Sequence, residues 1–160
     1  MSATFEELRV LKSSEEIADA IWKRVGQWDE FARDVVGKQL ARAADSIGAN
    51  IAEAFGRYHF GEKLQFLYYA RGSLFETKYW LNRVLARELM SAAEANEYVA
   101  HLTALARQLN AFADSLKTVR SDTQKQWKTL RESAAEYLLD LPHTYPESQF
   151  DADDLAWLES

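Results

Sequence analysis

Glu97 and His101 stand four residues apart on a helical pattern, near enough in that geometry to hold one metal ion. A carboxylate-bridged metal site in a helical bundle needs more: Glu-x-x-His on two helices and two further carboxylates. No Glu-x-x-His occurs in the sequence, so the pair reads as a cap or a salt bridge. His59 follows Gly56 in a connection and His143 lies between Pro142 and Pro146, each without a partner nearby in sequence. Ser73, beside Gly72, falls mid-helix, where a serine hydroxyl bonds a carbonyl one turn back rather than attacking a substrate. There is neither a nucleophile elbow nor a phosphate-binding glycine loop. The chain has no cysteine, which removes thiol nucleophiles, thiolate metal sites and disulfides together. The sequence predicts no catalytic residue, no metal and no cofactor.

Polar and basic residues at helical spacing remain. Asn50 and Glu53 occupy adjacent turns of one helix face and predict a buried hydrogen-bond network, with Arg57 or Ser73 as partner. Lys63, Arg71 and Lys78 fall within about 80° on a helical wheel. With Arg42 and Arg57 they are the residues that would contact nucleic acid. Asp45, Glu53 and Glu76 lie near enough to neutralise them, and salt-bridging is the expected role. Tyr58, Phe60, Phe66, Tyr69, Tyr79 and Trp80 are more large rings than one leucine seam can bury. Some must lie on a second face, which predicts an oligomer interface among Phe60, Phe66, Tyr69, Tyr79 and Trp80.

The elements that position these residues follow from punctuation and periodicity. At 160 residues the chain is about one domain long, and no proline precedes Pro142. An all-α fold follows. Ser13 to Glu16 predicts a capping box opening a first helix with Ile17, Ile21, Val25 and Trp28 inward, ended by Gly26 and Asp29. A second helix is expected from about Asp34 to Phe55, with Val36, Leu40, Ile47, Ile51 and Phe55 along its seam. Gly48 within it suggests close helix packing, and Gly56 a left-handed cap. A third runs from about Gly61 to Leu89 on Leu64, Leu67, Leu74, Leu81 and Leu85. After a turn at Met90, Ser91 to Glu94 predicts another capping box. Tyr98, Leu102, Leu105, Leu109, Phe112, Leu116 and Val119 then alternate steps of four and three. Short connections make an antiparallel up-down four-helix bundle the default for residues 1–118.

Residues 119–160 form an acidic C-terminal extension. Residues 1–120 hold 16 Lys and Arg against 16 Asp and Glu, whereas residues 121–160 hold 3 against 9. The net charge of −6 therefore sits in the last quarter. A fifth helix is expected at about 122–140, then a proline-containing segment in which Phe150, Leu155, Trp157 and Leu158 alternate with acidic residues. Such a segment docks into a partner's groove, lies over the basic flank of its own chain, or extends the core. The N-terminal residues resemble no secretory signal and no apolar run approaches a membrane span, so a soluble, cytoplasmic protein with no membrane partner is expected.

Two runs on the second and third helices carry a resemblance. They are Asn50-Ile51-Ala52-Glu53 leading into Phe55-Gly56-Arg57, and Phe66-Leu67-x-x-Ala70-x-Gly72-Ser73-Leu74-x-Glu76. With Phe5-Glu6-Glu7-Leu8-x-Val10 and Gln39-Leu40-x-Arg42-Ala43-Ala44-x-Ser46-Ile47, they resemble the bacterial four-helix-bundle family encoded in ribosomal-RNA intervening sequences. Accessory variability determinants of diversity-generating retroelements are its relatives. The resemblance implies a homopentameric ring. Asn50, Glu53, Gly56, Gly72, Ser73 and Glu76 are its motif residues. It implies a non-catalytic scaffold or adaptor, or alternatively an accessory subunit that binds RNA or DNA and a reverse transcriptase. Gly48 stands where the family usually has proline, and Ala54 where it usually has glycine.

Overall fold

The computed structural model describes residues 5–130 and 149–160, and every regular element among them is helical. Helix α1 spans Phe5–Val25, α2 is the single turn Glu30–Ala32, and a π-helical segment Arg33–Gly37 leads directly into α3, Lys38–Gly56. Helices α4 (Phe60–Ala86), α5 (Ala92–Leu130) and α6 (Ala152–Glu159) complete the chain. Helix α3 packs on α1 and α4, and α5 packs on α4 and α1, so four long helices close a ring of contacts around one core. Ile17, Ile21, Leu40, Ile47, Ile51, Leu64, Leu67, Leu74, Leu81, Leu102 and Leu109 fill it. Among the described residues no helix is long and apolar enough to cross a membrane.

Several boundaries differ from the sequence expectation, each for a local physical reason. Helix α1 runs straight through Ser13 and Glu16, because no glycine or proline interrupts residues 5–25 and a capping signal cannot stop an amphipathic run. Buried Ser14 instead donates to the Leu11 carbonyl at 2.6 Å. The second helical stretch begins earlier than Asp34, since Asp29 is itself an N-cap, accepting from the Ala32 N–H at 2.9 Å. At Gly56 no left-handed glycine is needed, because the chain leaves α3 in extended conformation at Arg57. The left-handed residue is Glu88 (φ 56°). Beside it the Glu88 N–H donates to Leu85 and the Leu89 N–H to Val84, the paired bonds of a Schellman ending to α4.

Ser91 accepts from the Glu94 N–H at 3.2 Å, but Glu94 gives its carboxylate to Arg24 at 2.6 Å instead of closing a capping box. Arg24 also donates to the Leu89 carbonyl, tying the end of α1 to the α4–α5 connection. The expected break between a fourth helix and a fifth starting near residue 122 is absent: α5 continues to Leu130, no glycine or proline occurring between Ser91 and Leu130. Residues 131–140 of the expected fifth helix, with His143, Pro142 and Pro146, lie outside the described residues.

Glycines record two close approaches. A Cβ on Gly48 would sit 3.0 Å from the Ser14 hydroxyl, so α1 and α3 meet there as the small-residue pattern suggests. A Cβ on Gly37 would fall 2.5 Å from a Val25 methyl. The wider π turn, with Lys38 N–H bonded to the Arg33 carbonyl, brings this buried glycine against the end of α1.

Candidate functional site

Helix α4 carries three of the six motif residues, Gly72, Ser73 and Glu76, and its surfaces have different fates. One face enters the core through Leu64, Leu67, Ala70, Leu74, Leu81 and Val84. Toward α3, the Asn50 amide donates to the Ser46 carbonyl at 2.8 Å and approaches the Ser73 hydroxyl at 3.4 Å, while Ser73 donates to the Tyr69 carbonyl. Asn50 and Ser73 thus form the expected polar link between these helices. Glu53 does not join it. Its side chain is exposed and pairs with Arg57 one turn on, because Glu53 lies on the outward side of α3 where the longer side chain reaches solvent. The expectation of a buried Glu53 network is corrected accordingly.

Arg57 also lies over the Phe66 ring at 4.5 Å, and Phe66 meets Tyr69 edge-on at 5.5 Å. Arg42 is exposed and donates to Gln39, and Lys63 is half-buried in the first turn of α4. Among the aromatics, Phe60, Phe66 and Trp80 pack partly against the core, whereas Tyr58, Tyr69 and Tyr79 are exposed. Trp80 meets Tyr79 edge-on, and Arg83 lies over the Tyr79 ring at 5.8 Å. Tyr69, Gly72, Glu76, Tyr79 and Arg83 follow at steps of three, four, three and four, all exposed, as an outer ridge along α4. A Cβ on Gly72 would meet nothing within 4 Å among the described residues.

The third surface is covered. Residues 149–160 lie on α4 and α5, with Phe150 and Leu158 fully buried and Leu155 packed against the core. Phe75 stacks on Phe150 at 5.6 Å and on Trp157 at 5.1 Å. Arg71 donates to Asp154 at 2.7 Å and lies over the Phe75 and Phe150 rings. Lys78 is 2% exposed, its ammonium 6.0 Å from the Trp157 ring centre, and burial pushes its pKa below the ordinary lysine value. Lys78 is therefore no free surface cation, contrary to the wheel-based expectation, because a segment remote in sequence covers that side of the helix.

Three participants escaped the sequence reading. Asn110 clasps the Phe150 backbone at two points, donating to its carbonyl at 2.8 Å and accepting from its N–H at 2.7 Å. Arg107 donates to Glu159 at 3.0 Å, and Phe75 supplies the stacking surface. A signal for Asn110 existed: an amide beside the buried Leu109–Phe112 seam has both a donor and an acceptor to satisfy. Asp151 and Asp154 form a full capping box that opens α6, and Asp154 serves Arg71 with the same oxygen. Glu97 and His101 are both exposed on α5, and among the described residues no cluster of His, Asp and Glu has metal-site geometry.

A family model described as 23S rRNA-intervening sequence protein matches residues 6–111, roughly two thirds of the chain. The chain belongs to that family. No curated protein matches it.

Proposed function

We propose that this member of the 23S rRNA-intervening sequence protein family is a non-catalytic, homo-oligomeric scaffold or adaptor. In this reading α1, the α2–α3 stretch, α4 and α5 are an antiparallel up-down four-helix bundle, and copies assemble into a ring, pentameric as the resemblance implies. The carrying observation is the outer ridge of α4. Tyr69, Gly72, Glu76, Tyr79 and Arg83 have the three-four spacing of a helix-packing seam, yet all five are exposed among the described residues of their own protomer. Glycine inside a helix costs about 1 kcal/mol relative to alanine, and among the described residues no close approach offsets it at Gly72. Close approach of a second copy supplies that return.

A ring of more than two copies uses two different surfaces per protomer. Trp22, Phe31 and Val35, 67%, 78% and 47% exposed and none of them on α4, are the apolar residues offered for the second surface. The nucleic-acid alternative, with RNA or DNA and a reverse transcriptase as partners, is less well supported. Of its five cations, Arg71 is bonded to Asp154 and Lys78 is buried, and the body has no net charge. Light scattering at micromolar concentration tests the proposal. A mass near five times 18.3 kDa is expected, and Tyr79→Asp or Phe31→Asp should dissociate it while Val119→Asp does not. A monomeric native chain would refute the scaffold reading.

A further inference from the structure

Segment 149–160 is held by more polar recognition than a core helix needs. Its bed on α4 and α5 presents Arg71, Lys78, Arg107 and Asn110 around the ring of Phe75. Each group is answered by one feature of the segment. Asp154 meets Arg71, Glu159 meets Arg107, the Phe150 backbone meets Asn110, and the Trp157 indole covers Lys78. The segment carries four acidic residues and no basic one, so the match is electrostatic as well as apolar. The ring of packing among α1, α3, α4 and α5 closes without α6. A bed that joins cations, a backbone clasp and an aromatic platform has the parts of a groove that recognises an amphipathic helix.

We infer that this bed is a docking site that also works in trans, its occupant being segment 149–160 of a second copy. A second copy presents the same Phe150, Asp154, Trp157 and Glu159, so every contact made within the chain is available between chains. Eighteen residues separate Leu130 from Gln149 along the sequence, a reach of up to about 60 Å when extended. Exchange of an identical element between protomers is a low-cost route to linkage. It competes with the same contact made within the segment's own chain, whose covalent connection raises the local concentration. Touching protomers supply a comparable local concentration, and to that extent the inference rests on the homo-oligomer reading. The chemistry of the bed does not.

Two experiments on the full chain test it. The first uses a fluorescein-labelled peptide of residues 146–160. A chain carrying Phe150→Ala and Trp157→Ala, its own segment weakened, should capture the peptide at least tenfold more tightly than the native chain. Adding Arg71→Ala should abolish the gain. Equal binding to all three chains overturns the docking site. The second needs no weakened chain. Arg107 and Glu159 are exposed and the native chain has no cysteine, so an Arg107→Cys chain mixed with a differently tagged Glu159→Cys chain reports exchange. With a short bismaleimide that bridges the span of the two original side chains, the unlike pair should be the main cross-linked product, and like pairs alone would overturn trans occupancy. Peptide capture by a chain that light scattering finds monomeric would remove the ring and keep the bed. A ring that captures no peptide would do the reverse.

Discussion

Gly72→Ala distinguishes a merely exposed helix position from a contact face. A methyl group there meets no atom of the described residues within 4 Å, so it introduces no strain against them. Glycine to alanine in a helix interior gains about 1 kcal/mol, much of it by narrowing the unfolded ensemble. With a urea slope of about 2 kcal/mol/M, the unfolding midpoint of dissociated protomers should rise by about 0.5 M. Assembly should respond in the opposite direction. Where a second helix lies against the glycine backbone, an added methyl overpacks the contact at about 1–3 kcal/mol, about five- to 150-fold in dissociation constant. Urea titration below the dissociation concentration measures the first effect, and sedimentation velocity across a dilution series measures the second. A stability gain with unchanged sedimentation would refute the α4 ridge as an interface. No stability gain would refute the open environment from which both magnitudes derive.

Gly37→Ala should act with the opposite sign. Its Cβ falls 2.5 Å from Val25, and a loss of about 1–3 kcal/mol is expected in urea titration, partly recovered by Val25→Ala in the same chain. Glu88→Gly should raise stability by about 0.5–1 kcal/mol, since the left-handed position ending α4 costs a residue with a Cβ but not glycine; a lower melting temperature would contradict this. Lys78 is buried with its pKa lowered from 10.5, so on raising the pH the folded chain releases this proton before the unfolded chain does. Its contribution to stability therefore improves from the lowered value up to about pH 10.5, and below that window charge burial is a constant cost. Lys78→Met should remove the alkaline improvement and raise stability at pH 7, read from urea midpoints at pH 7 and pH 10. A destabilised Lys78→Met chain would show that the ammonium's contact with Trp157 outweighs its desolvation.

Periodicity made the helices legible because it is a property of neighbouring residues. The seam from Leu102 to Leu116 is buried as its spacing requires, and Val119, half-exposed, marks where α5 leaves the core. The Asn50–Ser73 link was also readable, since each amide or hydroxyl needs a partner within a turn or across one interface. End signals were less dependable. A capping pattern at Ser13 lost to the continuous apolar stripe around it, whereas the cap at Asp29 stood beside a true break in that stripe.

The sequence by itself determined helices throughout the described residues, their apolar seams apart from the exposed Leu85 and Val119, the lack of thiol chemistry and the separation of a neutral body from an acidic end. Only the tertiary structure decided which polar residues are free. Lys63, Arg71 and Lys78 fall within about 80° on the wheel, yet a segment that starts more than seventy residues beyond Lys78 covers the last two. Glu53 is likewise exposed although it sits three residues from the partly buried Asn50. Helical spacing sets the direction of a side chain from its own axis. What that direction meets depends on remote elements, whose arrival is governed by the packing of the whole core and cannot be read from a window of neighbours.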